Sequence, residues 1–271
     1  MNHSVQDSGH FKENSVTVNG KRLAARVGGI GTPLVLFHSL LADQTSFEKI
    51  TASLAKTHQV YVLALPGFGA SESVGPDLEV IADHIAAGLN AFGIQSAILL
   101  GNGYGGFLAL QTAIRHPSLV SKLVLADCGA VFPEPGRAAF RAMSAAAKEK
   151  GLGAIADVAM RRLFSPEFQA QNPELTASRK EKFLAVDADT FHGACDALAT
   201  LDITAHLKSV TLPVLVLVGE HDEATPPPMS RALAAGLPNA TFTELAGLAH
   251  VPQLQAPEVF LAAIHPFLQT P

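Results

Sequence analysis

Short apolar runs alternate with longer stretches of helical spacing, and this alternation restricts the fold more than any other feature of the chain. The apolar runs are rich in Val, Leu and Ile, are bounded by turn residues, and cover 33–38, 59–65, 97–101, 122–127 and 213–219. Because they lack a polar face, they predict strands buried on both sides of a sheet. Helical spacing occupies 46–56, 77–92 and 104–115 between them. This order predicts an α/β fold, with a mostly parallel twisted sheet of about eight strands and helices on both faces.

Both ends of the described pattern extend this sheet. Residues 15–27 predict a hairpin, because Asn19-Gly20 is the two-residue turn that favours tight antiparallel pairing. Residues 240–245 predict the last strand, and 257–268 predict a closing helix.

Residues 133–204 interrupt the alternation. Two prolines open this segment in FPEPGR, and the rest has helical spacing with no strand between the helices. Insertions at such a place commonly cover the strand C-termini, where open α/β sheets bind ligands. We therefore predict an α/β core formed by 1–132 and 205–271, and a helical cap or lid insertion formed by 133–204.

Composition excludes several classes of function. The 271 residues carry a net charge of −5, which argues against nucleic acid and anionic membranes as partners. No apolar run approaches the ~20 residues of a membrane span, and the polar N-terminus resembles no signal peptide, so we expect a cytoplasmic protein. Cys128 and Cys195 are too few for a disulfide framework or a cysteine-based zinc site. We expect no metal and no cofactor. The expected partners are a small-molecule substrate and a second copy of the chain in a homodimer.

A glycine-dense turn between the run at 97–101 and the helix at 104–115 supports two interpretations. Gly101, Gly103 and Gly106 match the dinucleotide-binding pattern G-x-G-x-x-G, with Asp127 at the end of the next strand. Dinucleotide-binding folds place that turn after their first strand, whereas four strands precede it here. The second interpretation is the sharp strand-to-helix turn G-x-S-x-G, in which Gly101 and Gly105 flank a strained central residue.

Further segments agree, in order, with the second interpretation. They are LFHSLLADQTSFEKI (36–50), LALPGFGASES (63–73), VLVGEHDEATPP (216–227) and LAGLAHVPQLQAPEVF (245–260). From about residue 15 to its end the chain resembles an α/β-hydrolase. The HSL loop and FHGACDALATLDITAHL are similar to the 3-oxoadipate enol-lactonase branch. Two departures are Ser39, where glycine is more usual, and Leu65 before Pro66-Gly67.

The resemblance implies the catalytic base and its acid. His250 lies in the position of the family's histidine, and Asp222 in that of the acid that orients the imidazole. Glu220 and Glu223 are neighbouring carboxylates in the same turn, and Asp127 is the alternative acid position.

The chain departs from the family pattern at the position of the nucleophile. Gly103 occupies the place of the serine, so an acyl-enzyme on residue 103 is chemically excluded. Gly103 is either natural or a replacement that inactivates the enzyme, and Asn102 and Tyr104, which also differ from the commonest family residues, favour the first. The resemblance further implies an oxyanion hole formed by the backbone N–H groups of Leu40 and Tyr104.

Four side chains are candidates for substrate binding: Ser39, Asn102, Arg161 and Arg162. For Ser39 a structural or substrate-bonding role is favoured over that of a substitute nucleophile. The arginine pair either recognises a substrate carboxylate or forms a solvated helix face.

These residues predict a hydrolase of a small ester or lactone, similar to an enol-lactone, that uses His250 and Asp222 with a backbone oxyanion hole. If Gly103 is natural, the expected chemistry is non-covalent, with His250 activating water. The alternatives are a non-catalytic ligand-binding protein or receptor on a hydrolase scaffold, and a cofactor-free lyase or C–C bond hydrolase.

Overall fold

Eight strands form one sheet in the computed structural model, which describes residues 11–270. The strands are β1 (Lys12–Val18), β2 (Lys21–Gly28), β3 (Thr32–Phe37), β4 (His58–Leu63), β5 (Ala97–Asn102), β6 (Val120–Ala126), β7 (Val214–Gly219) and β8 (Ala240–Leu245). Their spatial order is β1-β2-β4-β3-β5-β6-β7-β8. Both pairs that involve β2 are antiparallel and the five remaining pairs are parallel, which confirms the predicted mostly parallel sheet.

Eleven α-helices accompany the sheet in the described residues. They are α1 (Glu48–Leu54), α2 (Leu78–Ala91), α3 (Tyr104–Arg115), α4 (Glu134–Lys150), α5 (Ala156–Leu163), α6 (Pro166–Gln171), α7 (Pro173–Leu184), α8 (Ala188–Thr200), α9 (Pro227–Gly236), α10 (Pro252–Gln255) and α11 (Pro257–Gln269). None of them is long and apolar enough to cross a membrane.

The sheet is covered on both faces, as the unbroken apolar runs predicted. Side chains of β3 alternate between two hydrophobic clusters, with Leu34 and Leu36 in one and Val35 and Phe37 in the other. Helices α1 and α11 contribute to the cluster of Leu34, whereas α2, α3 and the helices between β6 and β7 contribute to the cluster of Val35.

The predicted hairpin is confirmed and determines how the sheet begins. Val18 pairs with Lys21, which leaves Asn19 and Gly20 as the turn, with φ angles of 50° and 75°. Two consecutive left-handed residues are the conformation of a type I′ turn, which Asn-Gly adopts readily.

Residues 133–204 contain helices α4 to α8, with no β-strand among them. The ends of this segment lie side by side, because Val131 forms a β-bridge with Asp202 and the Ile203 N–H donates to the Ala130 carbonyl at 3.0 Å. A segment whose two ends meet is inserted into the sheet topology without altering it. The division into a core and a separate cap remains a prediction.

The turn between β5 and α3 packs backbone against backbone. A Cβ atom on Gly105 would overlap the carbonyl oxygen of Phe37 at the end of β3, and one on Gly101 would overlap the carbonyl of Gly105. Gly103, between them, has φ 54° and ψ −121°, which favours glycine. This packing brings the end of β3 directly beside residue 103.

We expect Gly105→Ala to lower the free energy of unfolding by about 2 kcal/mol or more, because the added methyl group must displace the backbone of β3. Gly153→Ala is the matched control: Gly153 is exposed, and a Cβ there meets nothing within 4 Å. Urea denaturation followed by circular dichroism measures both variants. Equal stability of the two would contradict the backbone packing described here.

Candidate active site

Side chains from several neighbouring strands meet at the carboxyl edge of the sheet. Ser39 follows β3, Gly103 follows β5, Asp127 follows β6, Asp222 follows β7 and His250 follows β8. These five strands are consecutive in the sheet and run parallel, so their carboxyl ends lie along one edge. Residues separated by as many as 211 positions in sequence are therefore in contact.

The imidazole of His250 is paired with Asp222. Its Nδ1 lies 2.9 Å from Asp222 Oδ2, and both residues are buried. The other carboxyl oxygen, Oδ1, accepts the backbone N–H groups of Ala224 at 2.7 Å and Thr225 at 3.0 Å. A carboxylate held in this way orients the imidazole with its proton on Nδ1, which leaves Nε2 free to accept another.

Nε2 of His250 faces the residue that replaces the expected nucleophile and the hydroxyl of Ser39. Ser39 Oγ lies 3.2 Å from Nε2. A Cβ atom built on Gly103 would lie 2.7 Å from that Oγ and 2.7 Å from Nε2. The space next to Gly103 is therefore occupied by Ser39 and His250.

Thr225 is a site residue that the sequence analysis missed. Its Oγ1 lies 2.6 Å from Asp222 Oδ2, 2.7 Å from the backbone carbonyl of Asp127 and 3.3 Å from His250 Nδ1. With one hydroxyl proton, it donates to one of the two oxygens at a time. The signal was its position three residues after Asp222, which is typical of side-chain to backbone turns.

Asp127, the alternative acid, lies beside the His–Asp pair. Its Oδ1 accepts the Gly219 N–H at 2.8 Å and its Oδ2 accepts the Asn102 amide at 3.1 Å. Complete burial and the negative charge of Asp222 raise the pKa of Asp127 well above its usual range. Asp127 is therefore the less acidic carboxyl group beside the His250–Asp222 pair.

The other carboxylates of the turn after β7 lie outside the site. Glu220 is exposed and accepts the Gly247 N–H at 2.9 Å, and Glu223 is also exposed. In residues 11–270, Asp127, Asp222 and His250 form the single group of side chains with metal-ligand types in reach of one another. Protein hydrogen bonds already engage these side chains: Asp222 bonds to His250, and Asp127 accepts from its own neighbours.

Asn102 supports the site from behind rather than facing it. It is fully buried, and its amide donates to Asp127 and, at 2.8 Å, to the backbone carbonyl of His250. Its Oδ1 accepts the amide of Gln253 at 3.0 Å, a second residue that the sequence analysis missed. All these bonds are within the protein, and the substrate contact expected of Asn102 remains a prediction.

Backbone donors flank the position of Gly103. The loop of Leu40 and the first residue of α3, Tyr104, both line the cavity described below. Within residues 11–270 neither N–H donates to a protein acceptor, and Tyr104 adds the positive end of a helix. The loop of Leu40 is held by His38, another residue that the sequence analysis missed. Its Nδ1 lies 2.9 Å from the Ser39 carbonyl. Burial lowers the pKa of His38 and keeps its ring neutral.

A narrow cavity of about 30 Å³ opens onto these groups. Polar side chains at its wall come from Ser39, Thr225, His250 and Arg162, while most of the remaining wall is apolar. The lining residues are Ser39, Leu40, Leu41, Gly103, Tyr104, Phe107, Phe132, Phe140, Met143, Arg162, Leu198, Ala224, Thr225 and His250.

The two adjacent arginines have different surroundings. Arg162 is half-buried and lines the cavity, and burial lowers its pKa while the charge of Asp222 opposes that effect. Arg161 is exposed and faces a separate surface depression beside Glu220. Successive helical residues point about 100° apart, so only one of the two faces the site.

We expect Asp127→Asn to flatten the pH dependence of stability. A raised pKa makes the folded state bind the proton more tightly than the unfolded chain. The stabilisation is complete below the usual aspartate pKa and is lost, by as much as about 1.4 kcal/mol per pH unit, as the pH rises towards the folded-state pKa. Asparagine tolerates the φ of 54° at this position.

Urea denaturation between about pH 4 and about pH 8 measures this slope. Asp196→Asn, which changes an exposed aspartate on α8, is the matched control and should leave the slope unchanged. Parallel stability curves for Asp127→Asn and the unmodified chain would contradict the raised pKa of Asp127.

The chain was compared with known proteins. It is 31% identical to polyketide synthase ThaQ of Burkholderia thailandensis over 92% of its length, and it spans only 12% of that protein. It is 26% identical to 3-oxoadipate enol-lactonase 2 of Acinetobacter baylyi, over 94% of this chain and 96% of the relative.

Solved structures share the whole fold. The enol-lactonase of Burkholderia xenovorans has a TM-score of 0.89 and 25% identity, and covers 95% of this chain and 100% of its own. A thermophilic esterase of Thermogutta terrifontis has a TM-score of 0.85 and 25% identity, over 96% and 98% of the two chains. Residues 32–257 match the family described as alpha/beta hydrolase fold, from β3 through the histidine loop. The chain therefore belongs to the α/β-hydrolase fold family.

Proposed function

We propose that the chain hydrolyses a small ester or lactone that carries a carboxylate group. Membership of the family and its lactonase and esterase relatives support hydrolase chemistry in general. The observation that carries the proposal is the buried His250–Asp222 pair at 2.9 Å, on the wall of a cavity that Leu40 and Tyr104 also line.

His250 acts as the general base in this proposal. Asp222 holds the Nδ1 proton and stabilises the imidazolium that forms when Nε2 takes a second proton. The N–H groups of Leu40 and Tyr104 stabilise the oxyanion on the substrate carbonyl, by about 3 kcal/mol each in enzymes where one such donor was removed. None of these roles needs a side chain on residue 103.

Arg162 is the proposed partner of the substrate carboxylate. Within the described chain it forms no ion pair, and it lies on the wall of a largely apolar cavity. A guanidinium in such surroundings binds a carboxylate through charge-assisted hydrogen bonds. The enol-lactonase relatives act on lactones by name, which supports the same substrate class.

Helices of the 133–204 segment supply one wall of the cavity. Phe140 and Met143 come from α4, Arg162 from α5 and Leu198 from α8. A cavity of about 30 Å³ holds little more than a water molecule, so a substrate enters only when this wall moves. We propose that 133–204 acts as a cap that closes over the substrate. The homodimer and the cytoplasmic location remain predictions.

A ligand-binding protein is the second candidate, and Gly103 is the observation that favours it. A scaffold without the family's nucleophile can retain its cavity as a receptor. Such a protein has no use for a base, so removal of the His250 imidazole distinguishes the two candidates.

We expect His250→Ala to lower kcat on a panel of small aryl esters and lactones by about a hundred-fold or more, because the general base is lost. Initial rates measured by absorbance and pH indicator report the loss. His221→Ala, the control, removes an exposed imidazole in the turn after β7 and should retain full activity. Ligand binding without turnover by the unmodified chain would instead support the receptor.

We expect Arg162→Met to raise the KM for carboxylate-bearing lactones by about ten-fold to a hundred-fold, because a charged hydrogen bond of about 1.5–3 kcal/mol is removed. The KM for neutral esters should stay the same. Arg161→Met is the matched control on the same helix, and Michaelis–Menten kinetics on both substrate classes are the measurement. Equal effects of the two substitutions would contradict the assignment.

A further inference from the structure

We propose that Ser39 is the nucleophile of this protein and forms an acyl-enzyme through its Oγ. The inference rests on the proposed ester or lactone hydrolysis, and it replaces water with Ser39 as the group that His250 deprotonates. Sequence alone favoured a structural or substrate-bonding role for Ser39, whereas its contact with His250 favours the catalytic role.

Three side chains form a continuous hydrogen-bonded chain. Ser39 Oγ lies 3.2 Å from His250 Nε2, and His250 Nδ1 lies 2.9 Å from Asp222 Oδ2. All three residues are at most 4% exposed, so water does not compete for these contacts. A hydroxyl, a base and an orienting carboxylate within hydrogen-bond reach are the arrangement that activates a serine.

Gly103 makes this contact possible. A serine at 103 would bring its Cβ to 2.7 Å from both Ser39 Oγ and His250 Nε2, so these two side-chain ends would have to shift away from residue 103. Glycine on the elbow and serine on the β3 loop are therefore complementary. Compared with the family pattern, the hydroxyl is carried by the loop after β3 instead of the turn after β5, while the base and the acid occupy the family's positions.

The backbone around Ser39 holds its side chain towards the imidazole. The Ser39 carbonyl is held by His38 Nδ1 at 2.9 Å and by the Ala42 N–H at 3.2 Å. In residues 11–270 the hydroxyl has His250 as its hydrogen-bond partner and caps no backbone group. Leu40, the next residue, lines the same cavity, and its N–H donates to no protein acceptor in the described residues, so it is the proposed oxyanion donor.

The reaction balances with water as the one co-reactant. Ser39 Oγ bonds to the substrate carbonyl carbon, its proton moves to His250 Nε2, and the carbonyl electron pair moves onto oxygen. The ester C–O bond then breaks, and the leaving oxygen takes the proton from Nε2. Water next attacks the acyl carbon and gives a proton to Nε2. Ser39 Oγ leaves with that proton, and the carboxylic acid is released.

A fluorophosphonate probe tests the nucleophile directly. Attack by Ser39 Oγ forms an O–P bond as fluoride leaves, and His250 takes the hydroxyl proton. Intact-mass analysis and peptide mapping should place one phosphonyl group on Ser39. Ser39→Ala should lose the label and lower kcat by about a thousand-fold or more. Ser46→Ala, which removes the hydroxyl of another fully buried serine, should retain both.

Two further variants keep the test decisive if Ser39→Ala does not fold. Ser39→Cys retains a nucleophile, and its acyl-thioester should be visible by mass after a short reaction. Ser39→Gly combined with Gly103→Ser should move the label to residue 103.

The outcomes separate the two proposals. Turnover retained in Ser39→Ala but lost in His250→Ala would overturn the nucleophile and leave the hydrolase intact. A label on another residue, or no label on a chain that hydrolyses esters, would also overturn it. Labelling of Ser39 with no turnover on the whole panel would support the nucleophile and reject the proposed substrates.

Discussion

The backbone of the turn between β5 and α3 packs directly against the end of β3, and the geometry of the site depends on this contact. Gly105 permits it, because any side chain there would overlap the Phe37 carbonyl. The contact places the loop of Ser39 over Gly103, within reach of His250. It also places Leu40 and Tyr104 on the wall of one cavity. A looser turn would separate the hydroxyl, the base and the oxyanion donors.

A buried polar network then joins the ends of four strands. Asn102, the last residue of β5, contacts both Asp127 after β6 and the loop of His250 after β8. Thr225 connects Asp127 with Asp222 after β7. Two carboxyl groups this deep cannot both be charged without a large desolvation cost, and the raised pKa of Asp127 resolves the conflict. A buried hydrogen-bonded network of this kind pre-organises the imidazole before any substrate binds.

Much of the fold was predictable because its signals are local. The Asn19-Gly20 turn, the apolar runs and the helix at 104–115 each depend on neighbouring residues, and all were confirmed. The supporting residues were not predictable in the same way: Thr225, His38 and Gln253 act through contacts with other loops. The choice between Arg161 and Arg162 depends on how α5 is rotated against the cavity, which helical spacing within the insertion leaves open.

The sequence by itself determined the layered α/β architecture, the family resemblance, and the absence of a nucleophilic side chain on residue 103, because these follow from periodicity, turn residues and motif order. Only the tertiary structure decided what stands in that place. Ser39 and His250 are 211 residues apart, and their 3.2 Å contact arises from strand order and loop packing. A distance across the sheet edge is encoded in no local pattern, since it depends on every element that positions the two loops.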